Sequence, residues 1–84
     1  MTTNKKPGAL TIALGRQLAA ERTAAGYSLR ELSALSGVSV ESLHRYEHAQ
    51  RDIQLRLLER IADALGMPAW KILAAAEERV ARGG

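Results

Sequence analysis

The polar groups with the most chemical potential in this chain crowd into one stretch, GVSVESLHRYE at residues 37–47, with His48 directly after it. Ser39, Glu41, Ser42, His44 and Arg45 set hydroxyl, carboxylate, imidazole and guanidinium groups side by side. Catalysis is a poor reading of them. A general base needs a neighbouring nucleophile or leaving-group acid, and nothing near Glu47 supplies one. Metal binding is little better: His44 and His48 lie four apart, on one face of a helix, but no third ligand of the right type sits at a plausible spacing, and there is no cysteine. Histidines that are solvated or face a phosphate fit better. Two readings remain: an ordinary surface helix, or a helix whose polar face meets a ligand. A helix this short, with Leu43 as its one clear apolar anchor, does not persist in water unless it packs on something.

The elements that must hold this stretch are all helical. Residues 1–8 are polar and end in the breaker Pro7-Gly8, so they read as a flexible arm. Leu10, Leu14 and Leu18 recur every fourth residue in a first helix that Gly26 stops. In YSLREL, Ser28 and Glu31 have the spacing of a capping box, and Tyr27 and Leu32 that of a hydrophobic staple. The second helix is expected to bury Leu32 and Leu35 and to end at Gly37. Ser39 caps the third helix, which runs to about His48, and Val38 and Leu43 form a second staple. Two helices joined by so few residues around a glycine must cross steeply, as in a helix-turn-helix. Residues 49–54 read as a loop. Leu55, Leu58, Ile61, Ala62 and Leu65 mark a fourth helix that closes at Gly66. Pro68 opens a fifth, with Ile72, Leu73, Ala76 and Val80 on one side.

Length and composition bound the rest. Eighty-four residues make one domain, near the lower limit for a core without staples, and the absence of cysteine removes disulfides. No apolar run approaches the roughly 20 residues that span a bilayer, and MTTNKKPGAL is not followed by a signal-peptide apolar region. The expected place is the cytoplasm. A net charge of +3 and a pI near 9.8 suit a polyanionic partner without requiring one.

From Leu14 to Leu73 the chain resembles the lambda-repressor-like, or Cro/repressor-type, helix-turn-helix domain. The matching residues are LGRQLAAERTAAGYSLRELSALSGVSVESLHRYE, then L-x-x-L-x-x-I-A-D-A-L-G-M. Individually these motifs are degenerate; their joint spacing is specific. The fold implied is all-α, five helices, with a DNA-binding domain over 9–76 and the end of the last helix and a tail over 77–84. Two positions depart from the family, which usually has glycine at Ala49 and often proline at Ile53. A left-handed Ala49 would cost about 1 kcal/mol. The expectation is therefore that the third helix runs slightly further or the loop takes another path.

The resemblance implies double-stranded DNA as the partner. The third helix would enter the major groove, with Val40, Glu41 and Arg45 at base edges and Ser39, Ser42 and His44 nearby. Arg45 suits guanine O6 and N7, Glu41 the cytosine amino group, and Val40 a thymine methyl. Phosphates would be met by Ser28, Leu29 and Arg30 at the second helix start, and by His48, Gln50, Arg51 and Gln54 around the loop. Arg22 and Glu47 would form a partly buried structural ion pair. Lys5 and Lys6 could reach along the DNA or simply be disordered. The expected protein is a dimeric transcriptional regulator on a palindromic operator, most simply a repressor. It would be of the phage Cro, immunity-repressor or restriction–modification controller kind. An antitoxin-type autorepressor, or an interaction module that kept the fold without DNA binding, is the alternative. No enzyme activity, cofactor, metal, membrane or small-molecule effector is expected. The dimer contact is placed at Trp70, Leu73 and Val80.

Overall fold

Caps and turns cut the chain into five helices. In the computed structural model, which describes residues 6–83, these are α1 (Ala9–Ala24), α2 (Leu29–Ser36), α3 (Val40–Glu47), α4 (Leu55–Leu65) and α5 (Ala69–Ala81), with no strand among the described residues. Residues 1–5 of the arm, Lys5 among them, lie outside that description. Before α2 the capping box is complete: Ser28 Oγ accepts from the Glu31 N–H at 3.0 Å, and Glu31 Oε1 accepts from the Ser28 N–H at 2.8 Å. Ser39 caps α3 by accepting from the Ser42 N–H. The α2–α3 turn pivots on Gly37 at φ 74°, and Ser36 Oγ accepts from the Val38 N–H inside it.

The core joins all five elements. Leu14 and Leu18 of α1, Leu32 of α2, Leu43 and Tyr46 of α3, Leu58 and Ile61 of α4, and Ile72 of α5 are buried together with Val38. Each such aliphatic side chain contributes roughly 1.5–3 kcal/mol on leaving water. α1 packs on α5 along one side and on α3 along another, while α2 is held between α3 and α4. α3 thus has a fixed back and an open front.

Several expectations drawn from spacing need correction. Leu35 is 56 % exposed; the place one turn on from Leu32 is taken by Ser36, which is buried. Positions three and four residues on lie on opposite sides of the starting residue, and here the packed stripe turns toward the fourth. Leu55 is 66 % exposed at the first turn of α4, whereas Leu57 packs on the core edge. Leu10 is likewise exposed at the start of α1. α3 has a second apolar anchor, Tyr46, beside Leu43.

Ala49 does take the left-handed conformation, at φ 56°. The reason lies in the hydrogen bonds that close α3. The Gln50 N–H donates to the Arg45 carbonyl at 2.8 Å and the Ala49 N–H to that of Tyr46 at 3.2 Å. That pair of bonds is the Schellman closure, which needs a left-handed residue at this one place. Neither a longer third helix nor a different loop is formed; two carbonyls are satisfied at the expense of strain in one alanine.

Candidate nucleic-acid interface

Three contacts set the position of α3. Leu43 and Tyr46 anchor its inner face. Arg22 of α1 reaches its last residue: Arg22 Nε donates to Glu47 Oε2 at 2.7 Å, Nη2 to Oε1 at 3.0 Å, and Nη1 to the Tyr27 carbonyl at 3.0 Å. The Glu47 side chain is only 6 % exposed and that of Arg22 19 %. The hydrogen bonds to Glu47, and its charge, hold the Arg22 guanidinium above its ordinary pKa, against the opposing effect of burial. The pair ties two helices that are separate in sequence, and orients more than it stabilises. The third contact is Gly15, whose position nothing in the sequence pattern singled out. A Cβ there would lie 2.5 Å from the Tyr46 carbonyl oxygen and 2.8 Å from that of Glu47. α1 and α3 touch through backbone.

With its back fixed, α3 turns Val40, Glu41, His44 and Arg45 outward, all exposed. Glu41 and Arg45 have the spacing of a helical ion pair, yet the ion pairs among the described residues are Arg22–Glu47 and Arg82–Glu78. The Arg45 guanidinium is uncommitted. Val40, Glu41, His44 and Arg45 line one shallow concavity, walled by Leu29 at the start of α2 and by Gln50 in the loop. Ser39 and Ser42 form the α3 cap, the Ser42 N–H donating to Ser39 Oγ, and neither lines this concavity. The rings of His44 and His48 stack with centroids 4.2 Å apart, and His48 Nδ1 donates to the His44 carbonyl at 2.8 Å. That bond leaves Nε2 of His48 as the ring nitrogen without the proton. Among the described residues no group of three or more potential ligands could hold a metal.

The residues expected at phosphates border more than one concavity. At the α2 start the Ser28 N–H is already committed to Glu31, so the backbone donors left to face an anion are the N–H groups of Leu29 and Arg30, beside the Ser28 hydroxyl. Gln50 lies beside them on the concavity. Arg51 lies elsewhere, on a groove between α1 and the loop lined by Leu10, Thr11 and Tyr46, where Thr11 Oγ1 donates to Asp52 at 3.3 Å. Gln54 precedes α4 as its N-cap residue without a side-chain cap bond. On α5, Trp70 is 66 % exposed and does not cover the core of its own chain. Leu73 and Val80 are half-buried against that core, Val80 beside Ala9 and Ile12.

Two short helices joined through the Gly37 turn, the second braced from behind and open on its polar front, describe a helix-turn-helix. A helix-turn-helix domain model matches residues 13–71. The chain belongs to that family. Solved structures similar to this helix-turn-helix chain include the clp gene regulator ClgR from Corynebacterium glutamicum, with TM-score 0.85 and 31 % identity over 93 % of this chain and 83 % of that one. The restriction–modification controller protein C.AhdI from Aeromonas hydrophila is similar at TM-score 0.75 and 29 % identity, over 77 % and 98 % of the two chains. A hypothetical transcription factor, NHTF, from Neisseria is similar at 0.76 and 26 %, over 94 % of each. No curated protein matches the sequence. Among the described residues no helix is long and apolar enough to cross a membrane.

Proposed function

We propose that this helix-turn-helix chain is a sequence-specific DNA-binding transcription regulator that acts as a homodimer, in its simplest form a repressor. The observation that carries this reading is the α3 front: an uncommitted Arg45 beside Glu41, His44 and Val40, on a helix braced from behind by Gly15 and by the Arg22–Glu47 pair. A reading helix works only if it is held rigidly while its outer side chains stay unpaired. Arg45 forks onto guanine O6 and N7, Glu41 accepts from a cytosine amino group, and Val40 meets a methyl, with Ser39, Ser42 and His44 adjoining. The N–H groups of Leu29 and Arg30, the Ser28 hydroxyl, and His48, Gln50, Arg51 and Gln54 take phosphates. Similarity to ClgR, a gene regulator, and to C.AhdI, a restriction–modification controller protein, favours regulation over the alternative of a pure interaction module.

One such domain covers a single half-site, so two act together about one helical turn apart. Trp70 is the proposed centre of the two-fold contact, with Leu73 and Val80 contributing their open edges, because a tryptophan left in water is costly and such anchors centre interfaces. Work on chromosomal or phage DNA places the protein in the cytoplasm. The deciding experiment is selection from a random duplex library, followed by binding across salt concentrations. Expected are a two-fold symmetric site and a linear fall of log affinity with log salt. No enriched sequence, or an affinity indifferent to salt, refutes the reading. Sedimentation of Trp70→Ala tests the contact: a variant that dimerises like the parent excludes that interface.

A further inference from the structure

Val40 is out of place on an otherwise polar front. It is 39 % exposed on the first turn of α3 and is not part of the buried core. Leu29, partly buried against the core, brings a second apolar side chain to the same concavity, which Arg45 also lines. A β-branched side chain is stiff and presents a fixed apolar wall. In the major groove a base pair offers such a wall only one thing, the C5-methyl of a pyrimidine. Arg45 in the same concavity calls for a guanine. The pyrimidine on the 5′ side of a guanine carries its C5 position next to the guanine N7 edge. One concavity can then hold both groups at once.

We infer that Leu29, Val40 and Arg45 together read a 5-methylpyrimidine–guanine step, so that binding responds to the methyl group itself and not merely to the base. Thymine supplies that methyl, and so does 5-methylcytosine. Unmethylated cytosine leaves the valine facing a gap. The consequence is regulatory: a half-site with CpG at this step binds more tightly once its cytosine is methylated. This rests on the DNA-reading role proposed above.

The test takes the selected operator and places thymine, deoxyuridine, cytosine or 5-methylcytosine 5′ of the guanine whose preference is lost in Arg45→Ala. Binding of the full chain is measured by fluorescence anisotropy at one fixed salt concentration. Thymine should bind roughly 3- to 5-fold more tightly than deoxyuridine per half-site, and 5-methylcytosine more tightly than cytosine by a similar factor, the worth of one buried methyl. Val40→Ala should erase both differences while keeping the guanine preference. Equal binding of thymine and deoxyuridine by the unaltered protein overturns the inference, as does a methyl preference that survives Val40→Ala. An operator that is selected yet indifferent to methyl groups sinks only this inference; a failure to select any operator removes the DNA-reading role beneath it.

Discussion

Replacing Gly15 by alanine should harm this protein, although the same change would strengthen an isolated helix. Alanine gains about 1 kcal/mol over glycine in a helix interior. Here the added Cβ would sit 2.5 Å from the Tyr46 carbonyl oxygen and 2.8 Å from that of Glu47, where ordinary contact begins at 3.4 Å. The axes of α1 and α3 must therefore part by close to 0.9 Å, and both obstacles are backbone atoms that no rotamer change can move. Overpacking of this kind costs about 1–3 kcal/mol, and a backbone clash belongs at the upper end. After the gain in propensity the net loss is about 1–2 kcal/mol, a fall in Tm of about 5–15 °C for a domain this size. The displaced turn also carries Glu47, whose 2.7 Å bond to Arg22 and whose neighbour's closure at Ala49 are both strained by the shift. DNA affinity should fall further than stability alone explains, since a reading helix tolerates only about 0.5 Å of misplacement. Thermal and urea unfolding, with binding to the selected operator, measure both effects. A Gly15→Ala protein as stable as the parent or more so would show that α1 and α3 do not meet through backbone, and the reasoning would fail.

Arg22→Ala should destabilise more than Glu47→Ala, because it leaves a nearly buried carboxylate and the Tyr27 carbonyl without their donor. About 3 kcal/mol against about 2 is expected, the partly exposed arginine tolerating its loss better, and the double variant should cost less than the sum; additive urea-unfolding losses would mean the pair is not coupled. Arg45→Ala should weaken specific binding by about 1–3 kcal/mol and relax one base preference per half-site, which a repeated selection would register. Arg51→Ala should weaken specific and random DNA alike and lower the salt slope by about one, and a loss confined to the operator would remove Arg51 from the backbone contacts. Ala49→Gly should raise stability by about 0.5–1 kcal/mol, since relief at φ 56° outweighs the extra freedom of glycine in the unfolded chain; an unchanged or lower Tm contradicts this.

What was legible in the sequence is what short-range hydrogen bonds decide. Ser28 with Glu31, the Ser39 cap, and the stops at Gly26, Gly37 and Gly66 involve groups only a few residues apart, so residue type and spacing suffice to name them. The outward set of α3 was legible for a similar reason: with Leu43 inward, helical period sends Glu41, His44 and Arg45 to the other side. The Arg22–Glu47 pair was not of this kind and entered only through family resemblance, as no local rule joins residues 25 apart. Tertiary packing decided the remainder. It set the roll of α2 that buries Ser36 and leaves Leu35 in water, and it drew Arg51 onto a different groove from Gln50. It also brought the α1 backbone at Gly15 against the end of α3, and held Ala49 left-handed. Each of these depends on which surface another helix presents at a given place, and that surface exists only once the core has closed around Leu14, Leu32, Leu58 and Ile72.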